Sequence, residues 1–215
     1  MTWRRKLVNV NKVAIVTGAS GGIGGAVCDL LDKEYEVLKP SHKEWDVRNL
    51  ILTPGGDILV CCHAAPLQSD FYDVIDVDIC GTYEACMSAL PYMSEMRWGR
   101  IVTFSSVRAH APRLGQVAYA TAKAAIEGMT RALAVEYGPK GVLVNCIAPG
   151  AVLTPRTTEN IRRGVVNEEE LKARTPTGRL TTPEEVARVV LWLVSEECHI
   201  NGQTIVCDGG WSING

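Results

Sequence analysis

Apolar positions in this chain fall into short runs rich in β-branched residues, separated by longer stretches in which they recur every three or four residues. The short runs are Val13–Thr17, Glu36–Leu38, Ile58–Cys62, Ile101–Ser105, Val142–Ala148 and Thr204–Cys207. Several are continuous rather than alternating, the pattern of parallel strands buried on both faces. After the first run, Ile23, Val27, Leu30 and Leu31 form one face of a helix. Another helix opens at Thr182-Pro183-Glu184-Glu185, with an N-cap threonine, a proline in the first turn and a glutamate at the reciprocal capping position. Strands alternating with helices predict an α/β fold: one doubly wound parallel sheet with helices on both faces and a ligand crevice at the carboxyl ends of the strands. No repeat or linker interrupts the pattern, so residues 1–215 are read as a single domain. One stretch is compressed. Between Leu38 and Ile58 the only strand-like piece is Asp46-Val47, among Pro40, Pro54 and Gly55-Gly56, so the sheet should be trimmed after its second strand.

Composition narrows the classes. Of 215 residues, 47% are apolar and 21% charged, with a formal net charge of −2. That is an ordinary globular balance, without the basic excess of a nucleic-acid-binding face. The longest apolar run, Ile58 to Pro66, is far below the ~20 residues of a membrane span. Arg4-Arg5-Lys6 is not followed by the apolar core of a signal peptide, so a cytoplasmic protein without membrane or nucleic-acid partners is expected. The eight cysteines form no Cys-x-x-Cys pair and lie mostly in apolar runs. They read as small buried hydrophobes, and no metal site is expected.

The first strand runs into Thr17-Gly18-Ala19-Ser20-Gly21-Gly22-Ile23-Gly24 and then a helix. Glycines there permit a tight turn and close approach of backbone amides, and the helix N-terminus adds free N–H groups and partial positive charge. Gly18, Ser20, Gly21, Gly22, Ile23 and Gly24 are therefore candidate contacts to the pyrophosphate of a dinucleotide. A ribose-binding carboxylate would stand near the end of the second strand. The sequence there is Leu38-Lys39-Pro40-Ser41-His42-Lys43, without an acid before Glu44. Ser41 and His42 thus become candidate adenosine-side contacts, and NADP is expected over NAD.

Tyr119 and Lys123 share a helix that runs on to Tyr137 and stops at Gly138-Pro139. Four residues apart, their side chains lie on one face ~6 Å apart along the axis. A nearby ammonium stabilises a phenolate, making tyrosine usable as an acid–base group. Ser106 follows the fourth strand, thirteen residues before Tyr119, and its hydroxyl can hold a carbonyl or alkoxide oxygen beside the phenol.

With these motifs the chain resembles the short-chain dehydrogenase/reductase family, most closely its 3-oxoacyl-acyl-carrier-protein reductase types. The likeness runs from about Lys12 to Asn214 through the glycine loop, Asp46-Val47, Asp57–Val60, Ser105-Ser106, Tyr119/Lys123, Asn145–Gly150, Gly178–Leu180, Pro183–Ala187 and Asp208–Gly210. It implies a Rossmann-like fold and an NAD(P)-dependent oxidoreductase moving a hydride between nicotinamide and a carbonyl or secondary alcohol. By that likeness Ser106 positions the substrate oxygen, Tyr119 is the general acid/base, and Lys123 holds the cofactor ribose and favours the phenolate. Asp46, Val47, Cys62, His63 and Ala64 would contact the cofactor, and Pro149, Gly150, Val152 and Thr154 would flank its nicotinamide half. Three departures stand out. Cys61-Cys62-His63-Ala64 replaces the family's Asn-Asn-Ala-Gly, Asp78 replaces its fourth catalytic residue, an asparagine, and the region after the second strand is shortened. His63 is expected to be a packed or hydrogen-bonded histidine rather than a catalytic one. An ionised Asp78 would offset part of the field of Lys123; alternatively, it faces solvent or accepts from a backbone amide. Residues 154–178 are expected to form a substrate lid. Its bases Arg156, Arg162, Arg163, Lys172 and Arg174 lie among Glu159 and Glu168–Glu170, as on a solvated helix face. The likeness also implies a homodimer or homotetramer, with Ala118, Ala122, Ala125 and Met129 as a seam for close helix packing. A catalytically degraded nucleotide-binding regulator on the same fold is the other reading.

Overall fold

The computed structural model describes residues 12–41, 47, 55–66 and 69–214. Its strands are β1 (Val13–Thr17), β2 (Glu36–Leu38), β3 (Ile58–Cys61), β4 (Gly99–Phe104), β5 (Val142–Pro149) and β6 (Thr204–Cys207). They form one sheet in the order β2-β1-β3-β4-β5-β6, with every neighbouring pair parallel. The helices are α1 (Gly22–Leu31), α2 (Phe71–Val74), α3 (Gly81–Glu95), α4 (Val117–Tyr137), α5 (Pro155–Arg162), α6 (Glu168–Arg174) and α7 (Pro183–Val194). The expected doubly wound sheet is present, and among the described residues no strand lies beyond β2.

Side-chain alternation explains the continuous apolar runs. Ala14 and Val16 of β1, Ile58 and Val60 of β3 and Val102 of β4 point to one face. There they meet Val27 and Leu31 of α1 and Val186, Val190 and Leu193 of α7. Ile15, Leu59, Cys61 and Ile101 point to the other face, against Ala85, Ala89, Leu90 and Met93 of α3 and Leu133 and Ala134 of α4. Residues of the inner strands β3 and β4 are thus buried whichever way they point, so no exposed positions alternate with the buried ones there, whereas the edge strands β2 and β6 are only partly covered. Every cysteine is a free thiol, and Cys28, Cys61, Cys86, Cys146 and Cys198 are buried as small hydrophobes.

Helix ends match their local chemistry. The Thr182 hydroxyl accepts from the Glu185 N–H at 3.3 Å, and Glu185 Oε2 accepts from the Thr182 N–H at 2.8 Å, closing the predicted capping box. The Arg179 guanidinium, bonded to both Glu185 oxygens, and the Thr182 N–H hold that carboxyl down at about 2. Between α2 and α3 the helix widens into a π-turn, Ile75–Cys80, which carries Asp78. Of the proposed packing seam, Ala122 is already covered within the subunit, beside Ala65 and Val74. No helix among the described residues is long and apolar enough to cross a membrane.

Candidate active site

Lys123 leaves α4 towards the end of β4 and is 3% exposed. Its ammonium lies 3.0 Å from Asp78 Oδ2, donates to the Phe104 carbonyl at 3.3 Å, and stands 5.6 Å from the centre of the Tyr119 ring. Asp78 is deeper still, and its Oδ1 accepts from the Ala65 N–H at 2.6 Å. Both expected possibilities are therefore partly realised: Asp78 satisfies a backbone amide and also sets a carboxylate directly against Lys123. Its place on the π-turn delivers it there, since a single wide turn re-aims side chains relative to a regular helix.

Ser106, at the mouth of β4, accepts from the Arg108 N–H at 3.2 Å as it caps the short turn Val107–Ala109. Behind Lys123, the Ser105 hydroxyl lies 2.7 Å from Glu127 Oε1 and 3.0 Å from the Lys123 carbonyl, and His110 Nε2 lies 3.0 Å from the same Glu127 oxygen. The sequence reading passed over this buried network; an acid four residues past Lys123 on a helix face that is otherwise apolar was its available signal. In front of Tyr119 opens a cavity of about 220 Å³, lined also by Asp78, Ala65, Ser69 and Gln116. Gln116 Oε1 is buried there with no donor among the described residues.

His63 is bonded, as expected. Its Nδ1 is 2.7 Å from the Thr17 hydroxyl and its Nε2 3.3 Å from that of Thr82. Burial, and after it the Lys123 charge, lower its pKa to about 4, so the ring is neutral at physiological pH. It ties the ends of β1 and β3 to the first turn of α3. Neither threonine stood out in the sequence, because the clamp joins positions far apart in the chain.

The glycine loop is packed to its limit. At Gly18, whose φ is +65°, an added Cβ would stand 2.6 Å from the Cys62 carbonyl carbon and the His63 nitrogen; at Gly24 it would stand 2.2 Å from the Gly18 oxygen. At Gly22 it would meet the Thr154 side chain at 2.8 Å, which shows how closely the residues after β5 approach the start of α1. Gly21, the N-cap of α1, offers no side chain to the first turn, and no acid occupies that turn. Its amides are thus left for an external anion, a fit for a pyrophosphate. Ser20 and Gly21 are exposed, whereas the Ile23 side chain packs on the core and only its backbone faces the loop. Ala64 is exposed and Cys62 half-buried beside Gly18.

The residues after β5 are held in place. The Gly150 N–H donates to the Cys207 carbonyl at 3.0 Å just beyond Pro149, and buried Val152 bridges to Thr181. Thr154 caps α5 by accepting from the Thr157 N–H at 3.2 Å. At the other end of the crevice Ser41 is exposed, and buried Val47 lies against Gly81. His42 and Asp46 lie outside the described residues. Lys39, in the acid-free stretch behind the NADP expectation, is ion-paired with Asp32. No group of three or more His, Cys, Asp or Glu among the described residues could hold a metal.

Comparison with known proteins gives concordant matches. A family model described as enoyl-(acyl carrier protein) reductase matches residues 64–212. The chain is 35% identical to the 3-oxoacyl-(acyl-carrier-protein) reductase of Aquifex aeolicus, over 95% of this chain and 89% of that protein. Among solved structures, the aldohexose dehydrogenase of Thermoplasma acidophilum superposes with a TM-score of 0.83 at 29% identity, over 96% of each chain. A 3-oxoacyl-(acyl-carrier-protein) reductase from Brucella melitensis with bound NAD superposes with a TM-score of 0.76 at 26% identity, over 95% of this chain and 92% of that one.

Proposed function

Because the chain belongs to the short-chain dehydrogenase/reductase family of oxidoreductases, we propose that Ser106, Tyr119 and Lys123 carry out a carbonyl–alcohol interconversion in the cavity before Tyr119. The observation that carries this reading is a buried ammonium held 5.6 Å from the Tyr119 ring at the rim of that cavity. Ser106 holds the substrate oxygen, and Tyr119 gives it a proton in reduction or takes one in oxidation. Lys123 favours the phenolate left behind, and Asp78 tempers its charge as a positioning residue. Gln116 Oε1 offers an acceptor to a substrate O–H or N–H.

The first turn of α1, with Gly18, Ser20, Gly21, Gly22, Ile23 and Gly24, holds the cofactor's phosphates. Cys62, His63 and Ala64 border its ribose, and Pro149, Gly150, Val152 and Thr154 its nicotinamide half; the Gly22–Thr154 contact supports placing both ends in one crevice. When bound, the nicotinamide supplies or accepts the hydride. NADP is favoured over NAD because Ser41, rather than a carboxylate, follows the second strand; with Lys39 already paired to Asp32, the preference should be modest. The segment 154–178, built of α5 and α6, is the substrate lid of a single-domain cytoplasmic enzyme. It assembles as a homodimer or homotetramer through α3 and α4, where Tyr83, Val117 and Val135 stay exposed in one copy.

Turnover of a broad panel of ketones and secondary alcohols with NADPH and NADH tests the reading. Tyr119→Phe should lower kcat/KM at least ~100-fold, the usual minimum for a lost acid/base group, with cofactor affinity within a few-fold. More than about a tenth of the activity surviving in Tyr119→Phe would remove the phenol from the chemistry. A wild-type kcat/KM no higher with NADPH than with NADH would reject the cofactor preference.

A further inference from the structure

The bases of the lid separate into two kinds. Arg162 is paired with Glu159, and Lys172 with Glu168 and Glu169, as on a solvated helix face. Arg174 is different. Its guanidinium lies over the Trp211 ring at 4.5 Å, and that of Arg108 lies over the same ring at 4.6 Å. With Arg113, Asn167 and Glu170 these residues line a second cavity of about 120 Å³. Three chain segments thus converge: the turn after Ser106, the lid helix α6, and the turn after β6. Asp208 fixes the last of these by accepting from the N–H groups of Gly210 at 2.8 Å and Ser212 at 2.7 Å.

The described lining of the cavity is rich in positive charge, three arginines against the single acid Glu170. Among the described residues none of the three arginines forms an ion pair with a carboxylate, and Glu170, the acid in the lining, pairs with none of them. Burial, and after it the charges of Arg113 and Arg174, hold the Arg108 guanidinium below its usual range. Trp211 is 4% exposed, and its indole N–H is buried without an acceptor among the described residues. Like charges gathered over one ring are unfavourable in the free chain and become less so once an anion arrives.

We propose that this cavity is an anion subsite that binds a carboxylate or phosphate group of the substrate whose reacting carbon sits at Tyr119. The proposal rests on the oxidoreductase reading above and adds the class of substrate. Planar guanidinium forks match the oxygen pairs of such groups. A volume of about 120 Å³ is well below the ~300–1,000 Å³ of a pocket for a whole ligand, and suits a single charged group. Continuity with the reaction centre is direct, since the Arg108 N–H that bonds Ser106 Oγ belongs to the residue whose guanidinium lines the cavity.

Two measurements test this. Calorimetric titration of the NADPH-loaded enzyme at constant ionic strength, with succinate and separately with inorganic phosphate, distinguishes the two anions. At least one should bind saturably, with affinity falling about tenfold or more in Arg174→Gln and changing little in Lys172→Gln. The exposed Arg113→Gln is the second variant should Arg174→Gln fail to fold. In the kinetic arm, ketones that carry the anion found to bind, carboxylate or phosphate, are compared with their methyl esters. The acid-to-ester ratio of kcat/KM should exceed one in the wild type, fall about tenfold in Arg174→Gln, and fall less in Arg174→Lys, which keeps the charge but not the fork. Absence of saturable binding by either anion, equal weakening by Lys172→Gln, or an acid-to-ester ratio near one in the wild type would each overturn the proposal. Arginine-dependent anion binding without turnover of any ketone would instead overturn the oxidoreductase reading and leave the subsite standing.

Discussion

Lys123 and the arginines around Trp211 stand at the same carboxyl edge of the sheet, and the protein compensates their charges in opposite ways. The Lys123 side chain is 4% exposed and meets the still more buried Asp78 at 3.0 Å. Arg108 and Arg174 meet a tryptophan face, and Arg113 lines the same cavity beside them. Solvent access explains the difference. A cation removed from water needs a counter-charge within the fold, because desolvation costs several kcal/mol per ion. A half-exposed guanidinium retains part of its hydration and can wait for a ligand. The family's asparagine in place of Asp78 could satisfy the Ala65 amide equally well, but it could not neutralise the ammonium.

The largest expected effect follows from deleting one cation of each kind. Lys123→Met leaves Asp78 buried without its partner and should destabilise the fold by about 3–5 kcal/mol. Asp78→Asn in the same background should restore most of that loss, because asparagine still accepts from Ala65. Arg113→Gln removes an exposed charge from a repelling cluster and should change stability by less than about 0.5 kcal/mol. Urea unfolding of the four proteins at pH 7 makes the comparison. Similar losses for Lys123→Met and Arg113→Gln would erase the distinction between the two regions.

The two regions also differ in how far the sequence announced them. Strand positions were legible to within a residue or two, because two-sided burial turns most of the inner strands into continuous apolar runs. Tyr119 and Lys123 were legible because helical spacing places them on one face. That Asp78 would lie near Lys123 followed only from the family resemblance, since the π-turn that brings the two to 3.0 Å is encoded by no apolar period. The arginine cavity was hidden more deeply. Its lining comes from residues 108–113, 166–174 and 211, and charge patterning within residues 154–178 describes Arg162 and Lys172 correctly but misplaces Arg174. Local patterns report what a segment does with its own neighbours; convergence of distant segments has no local period.

His63 gives a smaller effect on the Lys123 side. Its pKa in the fold is about 4, below the ~6.5 of an unfolded chain, so the unfolded state takes up the proton first as pH falls. The stability this contributes is complete above pH ~6.5 and is lost progressively towards pH 4. Allowing for the partial exposure of the ring, about 1–2 kcal/mol should disappear between pH 7 and pH 5. His63→Gln isolates the share of this residue: the variant should lose correspondingly less stability over the same interval in urea titrations. Equal losses in both proteins would mean that the ring is not held neutral by burial and Lys123.

The smallest effect concerns what Asp78 does to catalysis rather than to folding. An ionised carboxylate 3.0 Å from Lys123 cancels part of the field that the ammonium exerts on Tyr119. With Asp78→Asn the field acts without that offset, and the phenol gives up its proton more easily. On the proposed mechanism Tyr119 must carry a proton in the reductive direction, so kcat/KM should begin to fall at lower pH in the variant. One unit charge at ~6 Å in an effective dielectric of ~20 gives roughly 2–3 kcal/mol, an upper figure before solvent and relaxation reduce it. About half a pH unit or more of downward movement in the basic limb is therefore expected. A purely structural role for Asp78 would lower stability and scale the whole profile without moving the limb. The two roles thus separate in one data set, kcat/KM against pH for both proteins. Superimposable or upward-shifted limbs would confine Asp78 to holding Lys123 and the Ala65 amide in place.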